Sequence, residues 1–402
     1  MKNRTPVSRR RLLQAGLAAP LSGPVAASRP AASIYSRLGV RTFINAYGTL
    51  TTLSGTLMLP EVKRAMEEAS SQYVHIHELQ KKAGERLAQL TGAEAAFVTA
   101  GASASLCLAA CAVTAGADPA KIDRLPDLTG MKSEIIIQKV HRNSYDHAFR
   151  MVGAKLVDVE TAEQMRQAIG PRTAALAMVL SHNTLGHKVE LEEMIAIAHA
   201  AKLPVILDAA AELPPAENLN KFVKMGADLA AFSGGKNLRG PQCSGLLLGR
   251  RDLIEAAYAN SAPHNRFARI AKVGKEEIVG LLAAVEAYLK KDHAAERREW
   301  EAMLRRVADR LRGLPAVFTE FIPNLDYSHS PRLSVQWDEG KLGVTLDQMV
   351  TRLREGEQAI VAGDMTKFRP PWKGLGIFPY CLRPGEELVV ARRVREILGG
   401  KA

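Results

Sequence analysis

Short apolar runs alternate with amphipathic stretches through the middle of the chain. Ala95 to Thr99, Glu134 to Gln138, Lys155 to Val159, Ala174 to Leu180, Val205 to Leu207, Leu229 to Phe232 and Gly245 to Leu248 have the length and composition of buried strands. Helical patterns fall between them. Ser103 to Ala115 follows the first strand, and Glu190 to Ala201 places Leu191, Met194, Ile195 and Ala198 on one face. Such alternation predicts an α/β domain on a mainly parallel sheet. Ligands of these sheets gather at the carboxyl ends of the strands, so the residues after each strand carry the chemical interest.

The pattern changes at Lys275 to Leu311, a long helical stretch interrupted by charge that reads as a bridge between two domains. Beyond it, strands at Leu333–Trp337 and Gly376–Tyr380 mix with helices at Leu346–Arg354 and Glu386–Leu398, the pattern of a smaller α+β domain. The expected layout is an N-terminal segment at 28–60, a large domain at 61–270, and a linking helix with the small domain at 271–402. At 402 residues and 47% hydrophobic content, the chain can bury two such cores.

Residues 1–27 read as an address. Ser8-Arg9-Arg10-Arg11-Leu12-Leu13-Gln14 precedes a modestly apolar stretch ending in Val25-Ala26-Ala27-Ser28, a small-residue cleavage pattern. Paired arginines followed by Leu-Leu resemble a twin-arginine export signal, which implies a periplasmic protein. The alternative is a basic N-terminus on a cytoplasmic one. Export of this kind suits cargo that folds and takes up a cofactor before crossing.

The formal charge of +12 changes once this segment is set aside. It holds five basic residues and no acid, leaving +7 spread along the rest of the chain. No basic stripe interleaved with aromatics is visible, which argues against a nucleic-acid partner and leaves small anionic molecules. No interior run of about twenty apolar residues suggests a membrane span. Cys107 and Cys111 share one helix face, Cys243 and Cys381 stand apart, and their spacing fits neither a metal site nor a required disulfide.

Four features at strand ends carry chemistry. Thr99-Ala100-Gly101-Ala102-Ser103-Ala104 closes a strand and opens a helix, with residues small enough for backbone N–H groups to approach an anion. Tight strand–helix packing would use the same residues. Leu203-Pro204-Val205-Ile206-Leu207-Asp208-Ala209-Ala210 ends an apolar strand in a carboxylate that needs a partner. A protonated pyridine nitrogen is one such partner, and a helix N-cap role is the alternative. Phe232-Ser233-Gly234-Gly235-Lys236 ends another strand. Its glycines let the amine reach inward, where desolvation lowers its pKa as Schiff-base formation requires. Ser233 offers a hydroxyl to a phosphate oxygen, and Arg239-Gly240-Pro241-Gln242 follows. His141, in His141-Arg142-Asn143-Ser144, could stack on a flat ring.

In this order the residues resemble fold-type-I pyridoxal-phosphate enzymes, specifically the selenocysteine-synthase-like branch with its D-glucosaminate-6-phosphate ammonia-lyase relatives. The matching stretches are Ile44-Asn45-Ala46-Tyr47-Gly48-Thr49, Leu90-Thr91-Gly92-Ala93-Glu94-Ala95-Ala96, the Thr99–Ala104 turn, Asp208-Ala-Ala-Ala-Glu-Leu-Pro-Pro and Ser233-Gly-Gly-Lys-Asn-Leu-Arg-Gly-Pro-Gln. The resemblance covers nearly all of the chain after residue 34. It implies pyridoxal 5′-phosphate bound to Lys236, which also shuttles the α-proton, and Asp208 paired with the pyridine nitrogen. His141 and Ala210 would pack the two ring faces. The backbones of Gly101, Ala102 and Ser103, with Ser233 and Arg239, would hold the phosphate, and Asn183 would contact the cofactor.

The reaction implied by the branch is α,β-elimination on a small amino acid or amino sugar acid. Aldol cleavage, transamination and racemisation share its early steps, and selenium transfer to seryl-tRNA is a rival of another class. The chain departs from a true selenocysteine synthase in lacking that enzyme's additional N-terminal region. It also has Gly235 where the synthase typically has an acid. An arginine of the small domain commonly binds the substrate carboxylate in this fold. Arg332, Arg369 and Arg383 are all candidates, and the spacing does not choose among them. Active sites of this fold lie at subunit interfaces, which implies a homodimer or larger assembly.

Overall fold

The computed structural model describes residues 33–180, 186, 188–322, 330–367 and 372–399. The leader, Asn183 and Arg369 lie outside the described residues. Two compact units divide the chain, Met1–Thr42 and Phe43–Ala402. In the first, a short helix, Ile34–Arg37, is N-capped by the Ser33 hydroxyl, which accepts from the Ser36 N–H.

The second unit carries twelve described strands: β1 (Ile44–Ala46), β2 (Ala95–Thr99), β3 (Glu134–Gln138), β4 (Lys155–Val159), β5 (Thr173–Val179), β6 (Val205–Asp208), β7 (Leu229–Ser233), β8 (Gly245–Gly249), β9 (Val317–Ile322), β10 (Arg332–Trp337), β11 (Ile360–Asp364) and β12 (Leu375–Ile377). Seven form one sheet in the order β2-β8-β7-β6-β5-β3-β4, parallel except for β8. This is the mainly parallel sheet that the apolar runs predict.

Apart from the edge strand β4, whose Lys155 and Asp158 are exposed, its strands read as mainly apolar runs because both faces are covered. Successive residues enter opposite cores. Ile136, Leu176, Met178, Leu207 and Phe232 face one, packed with the helices Ile76–Thr91, Leu191–Ala200 and Lys275–Lys290. Ile135, Ala175, Ala177, Ile206 and Ala231 face the other, under the helices Ala102–Thr114 and Arg251–Asn260. Cys107 and Cys111 are buried on that helix face, and all four cysteines are free.

The remaining five strands form a sheet in the order β1-β11-β12-β10-β9. Its edge strand β1 comes from the segment expected to precede the large domain, and it pairs in parallel with β11. The N-terminal segment therefore contributes to the C-terminal sheet, a pairing across more than 300 residues that a reading in chain order does not reveal. The Lys275–Leu311 stretch resolves into two helices, Lys275–Lys290 and His293–Leu311, parted at Lys291-Asp292. Asp292 caps the second, accepting from the Ala295 N–H at 2.8 Å. The first helix buries Ile278 and Leu281 in the large-sheet core, and the second buries Met303, Leu304 and Val307 against the small sheet.

Two differences have physical causes. The strand expected at Gly376–Tyr380 is Leu375–Ile377, because Pro379 has no N–H for the ladder and opens a 3-10 turn, Pro379–Cys381. Strand β9 shows no clean period because its apolar residues flank Thr319-Glu320 in pairs, with Phe318 and Phe321 exposed at the sheet edge.

Candidate active site

The strand registers gather the singled-out residues along one edge of the large sheet. Thr99 pairs with Gly245, which pairs with Ser233, and Asp208 pairs with Ala231 in the neighbouring strand. At the first of these strand ends, Gly101 adopts φ 101 and ψ 162, a conformation that a side chain would strain. It caps the helix Ala102–Thr114 without any side-chain hydrogen bond. The Thr99 hydroxyl is turned inward to Gly101 O and Ser105 Oγ, at 3.0 and 2.7 Å. The helix thus presents its first N–H groups, with a partial positive charge of about half a unit, at an uncrowded turn. Ser103 is exposed and Ala102 half-buried there.

The loop after β7 is held on both sides. Gly234 N donates to Ser244 O at 2.8 Å, and Gly240 N closes the turn onto Gly234 O at 2.8 Å. The Thr56 hydroxyl donates to Lys236 O at 2.8 Å, and the Asn237 side-chain amide donates to Leu213 O. Gly235, the departure from the synthase pattern, has a local cause. A Cβ at this position would stand 2.7 Å from Gln242 Cα, so an acid could enter only if backbone moved.

Lys236 reaches a cavity of about 70 Å³ whose lining includes Thr49, Ala210, Ser233, Ser330, Arg332 and Tyr380. Burial pushes its amine below the ordinary lysine range, while the charges of Asp208 and Glu212 push it back up. Burial prevails. Asp208 accepts from the Ala210 N–H at 3.0 Å. The helix after β6 begins only at Asn218, so Asp208 is not a helix N-cap. Glu212 is almost wholly enclosed, at 2% exposure. Sequence reading passed over it, although a carboxylate between three alanines and Leu-Pro-Pro was a visible signal.

His141 is fully buried on the turn Lys139–His141, at the same sheet edge, with β5 between its strand and β6. Arg239 holds a left-handed conformation at φ 55, and its Nε donates to Leu57 O at 3.2 Å; its charge also acts on the Cys381 thiol, which burial pushes up to about 12.

Among the candidate arginines, the surroundings differ. Arg383 is exposed and lies 3.9 Å from Glu386. Arg332 lines the Lys236 cavity with its guanidinium 5.5 Å from the Phe378 ring centroid, and its buried Nε has no hydrogen-bond partner among the described residues. Ser330 Oγ is likewise buried without one. Each such group costs roughly 1–3 kcal/mol or more if nothing binds it. Burial raises the Tyr380 phenol well above its usual range, against the opposing charge of Arg332, so it stays neutral. Thr49, Ser330 and Tyr380 lie far from Lys236 in sequence, and only the fold brings them to it.

These residues fit a pyridoxal phosphate. A desolvated amine, a neighbouring carboxylate, uncapped helix N–H groups and unpartnered donors suit its aldehyde, ring nitrogen, phosphate and bound substrate respectively. A larger cavity of about 810 Å³ opens along β2, lined by His77, Gln80, Arg251 and Tyr258 among others, and it includes none of these groups.

The model of the SelA family, L-seryl-tRNA selenium transferase, matches residues 44–320. The chain belongs to this family. The D-glucosaminate-6-phosphate ammonia lyase of Salmonella typhimurium is 32% identical over 91% of this chain and 98% of the relative. The 5′-C-glycyluridine monooxygenase-decarboxylase of a Streptomyces species is 33% identical over 90% and 92%. A solved D-glucosaminate-6-phosphate ammonia-lyase superposes with a TM-score of 0.79, at 32% identity, covering 92% of this chain and 99% of that one. A cysteine desulfurase of Escherichia coli, at 21% identity and a TM-score of 0.58 over 89% and 95% of the two chains, shares the fold alone. The fold is that of fold-type-I pyridoxal-phosphate enzymes, and this selenium transferase family member is an enzyme whose family and fold imply that cofactor.

Proposed function

We propose that the chain is a pyridoxal-5′-phosphate lyase that eliminates a β-substituent from a small amino acid or amino sugar acid. The observation that carries this reading is the Lys236 amine, desolvated in a cavity that Arg332 also lines and acted on by Asp208 and Glu212. Lys236 would hold the cofactor covalently, and Asp208 would face its ring nitrogen. The N–H groups of Gly101, Ala102 and Ser103, with the Ser233 hydroxyl, would hold its phosphate. His141 and Ala210 would bound the ring, and Asn183 and Arg239 complete the set assigned from the resemblance. When bound, the cofactor supplies an electron sink for charge developing at the substrate α-carbon.

The chain's own groups do the rest. Lys236, released when the substrate amine displaces it and favoured in its neutral form by burial, would take the α-proton and pass it to the departing β-substituent. Arg332 orients the substrate through its carboxylate, and the neutral Tyr380 phenol has a proton to donate within the same cavity. Elimination is favoured by similarity to the ammonia lyase along nearly the full length of both chains. Incubation with a β-hydroxy amino acid or amino sugar acid is expected to release ammonia and keto acid without an amino acceptor. A product that forms only when an acceptor is supplied rules elimination out.

A second reading follows from the equally similar monooxygenase-decarboxylase. It predicts oxygen uptake and carbon dioxide in the same incubation. Selenium transfer is the third, and it requires seryl-tRNA binding with a steep salt dependence. We further propose export by the twin-arginine route, supported by Arg9-Arg10-Arg11-Leu12-Leu13, and assembly as a homodimer or larger oligomer, supported by the fold resemblance.

A further inference from the structure

We propose that Ser330 is a specificity-determining residue, placed to donate a hydrogen bond, together with the Arg332 Nε–H, to the carboxylate of the substrate. This rests on the reading of the Lys236 cavity as the substrate site. Ser330 is 4% exposed, its hydroxyl has no partner among the described residues, and it lines the cavity beside Lys236 and Arg332. Arg332 Nε is buried and unpartnered in the same way. The guanidinium lies against the Phe378 ring, 5.5 Å from its centroid, which restricts how its N–H edge can point.

The chemistry of the pair narrows what it recognises. A guanidinium only donates, so a group shared with it must accept and is favoured when negative. A hydroxyl can donate beside it. Two donors on one cavity match the two oxygens of a planar carboxylate better than an ammonium or a neutral hydroxyl. Lys236 opens onto the same cavity, so the carboxylate bound there is the one adjacent to the reacting amine carbon. Arg332 is a candidate for this role from the sequence alone; Ser330 is not. Ser330 follows a segment without periodicity and is separated from Arg332, the first residue of β10, by a single proline.

The test uses the cofactor-loaded full chain and two amines that differ only in the carboxylate, alanine and ethylamine. Each is titrated while the visible spectrum reports binding, without turnover. Wild type is expected to prefer alanine. Ser330→Ala is expected to reduce that preference about tenfold, equivalent to about 1.4 kcal/mol, with ethylamine binding unchanged. Arg332→Gln is expected to reduce it further, and Ser330→Thr, which keeps a hydroxyl, to retain most of it. An unchanged preference in Ser330→Ala overturns the proposal. So does equal weakening of both amines, which marks a structural role, or a wild type that does not distinguish them. Failure of the underlying reading looks different: the reconstituted wild type has no visible band for either amine to shift.

Discussion

Lys236 stands where two opposing effects meet. Burial depresses its amine, and the carboxylates of Asp208 and Glu212 limit the depression. In the cofactor-free protein, Asp208→Asn or Glu212→Gln therefore moves its titration to lower pH. Competitive acylation of Lys236, followed by mass spectrometry over a neutral-to-alkaline series, measures the midpoint; no downward movement in either variant contradicts the assignment. The linkage has a definite sign. Because the folded value lies below the ordinary one, this lysine's contribution to stability is complete above its unfolded pKa and is lost as pH falls through the folded pKa. At this scale the sequence was informative where chemistry sits at a strand end. Asp208, Ser233 and Lys236 are each set by a run of apolar residues that stops. Thr49, Ser330 and Tyr380 are not marked by local pattern, because their roles arise from tertiary contact, whereas Glu212 stands in a segment that does mark it.

Elements explain why these residues keep their positions. The lysine loop is tied to Thr56, Leu213 and Ser244 by hydrogen bonds, and Gly235 has backbone on the side where a Cβ would project. Gly235→Asp, the residue class typical of the synthase, is expected to cost about 1–3 kcal/mol through overpacking. Urea unfolding checks this: a lowered midpoint with an unchanged slope is the expected outcome, and an unchanged midpoint means the loop can yield. Six of the seven strands of the large sheet were legible because burial on both faces makes them short, mainly apolar runs; the edge strand β4 is largely uncovered, with Lys155 and Asp158 exposed. In the small sheet, β1 is three residues long and β9 mostly exposed, so neither leaves a period to read.

The whole molecule joins a large sheet, which supplies Lys236 and Asp208, to a smaller one, which supplies Arg332. The two helices Lys275–Lys290 and His293–Leu311 are each rooted in a different core, so the chain between the sheets is anchored at both ends. Neither sheet alone assembles the cavity. At this scale the leader also makes a prediction. Expressed with residues 1–27 intact in a bacterium with twin-arginine export, the protein is expected in the periplasm with its N-terminus at Ser28. Arg9→Lys with Arg10→Lys and Arg11→Lys should retain it in the cytoplasm uncut, and cleavage unaffected by that change contradicts export by this route.

Attachment of the cofactor to Lys236 is tested most directly by reconstituting the purified chain with pyridoxal 5′-phosphate, reducing with borohydride and mapping the modified peptide. A visible band that reduction removes, a single phosphopyridoxyl adduct on Lys236, and neither band nor adduct in Lys236→Ala are the predicted results. A colourless reconstituted wild type, or an adduct on another lysine while Lys236→Ala keeps its band, would contradict it.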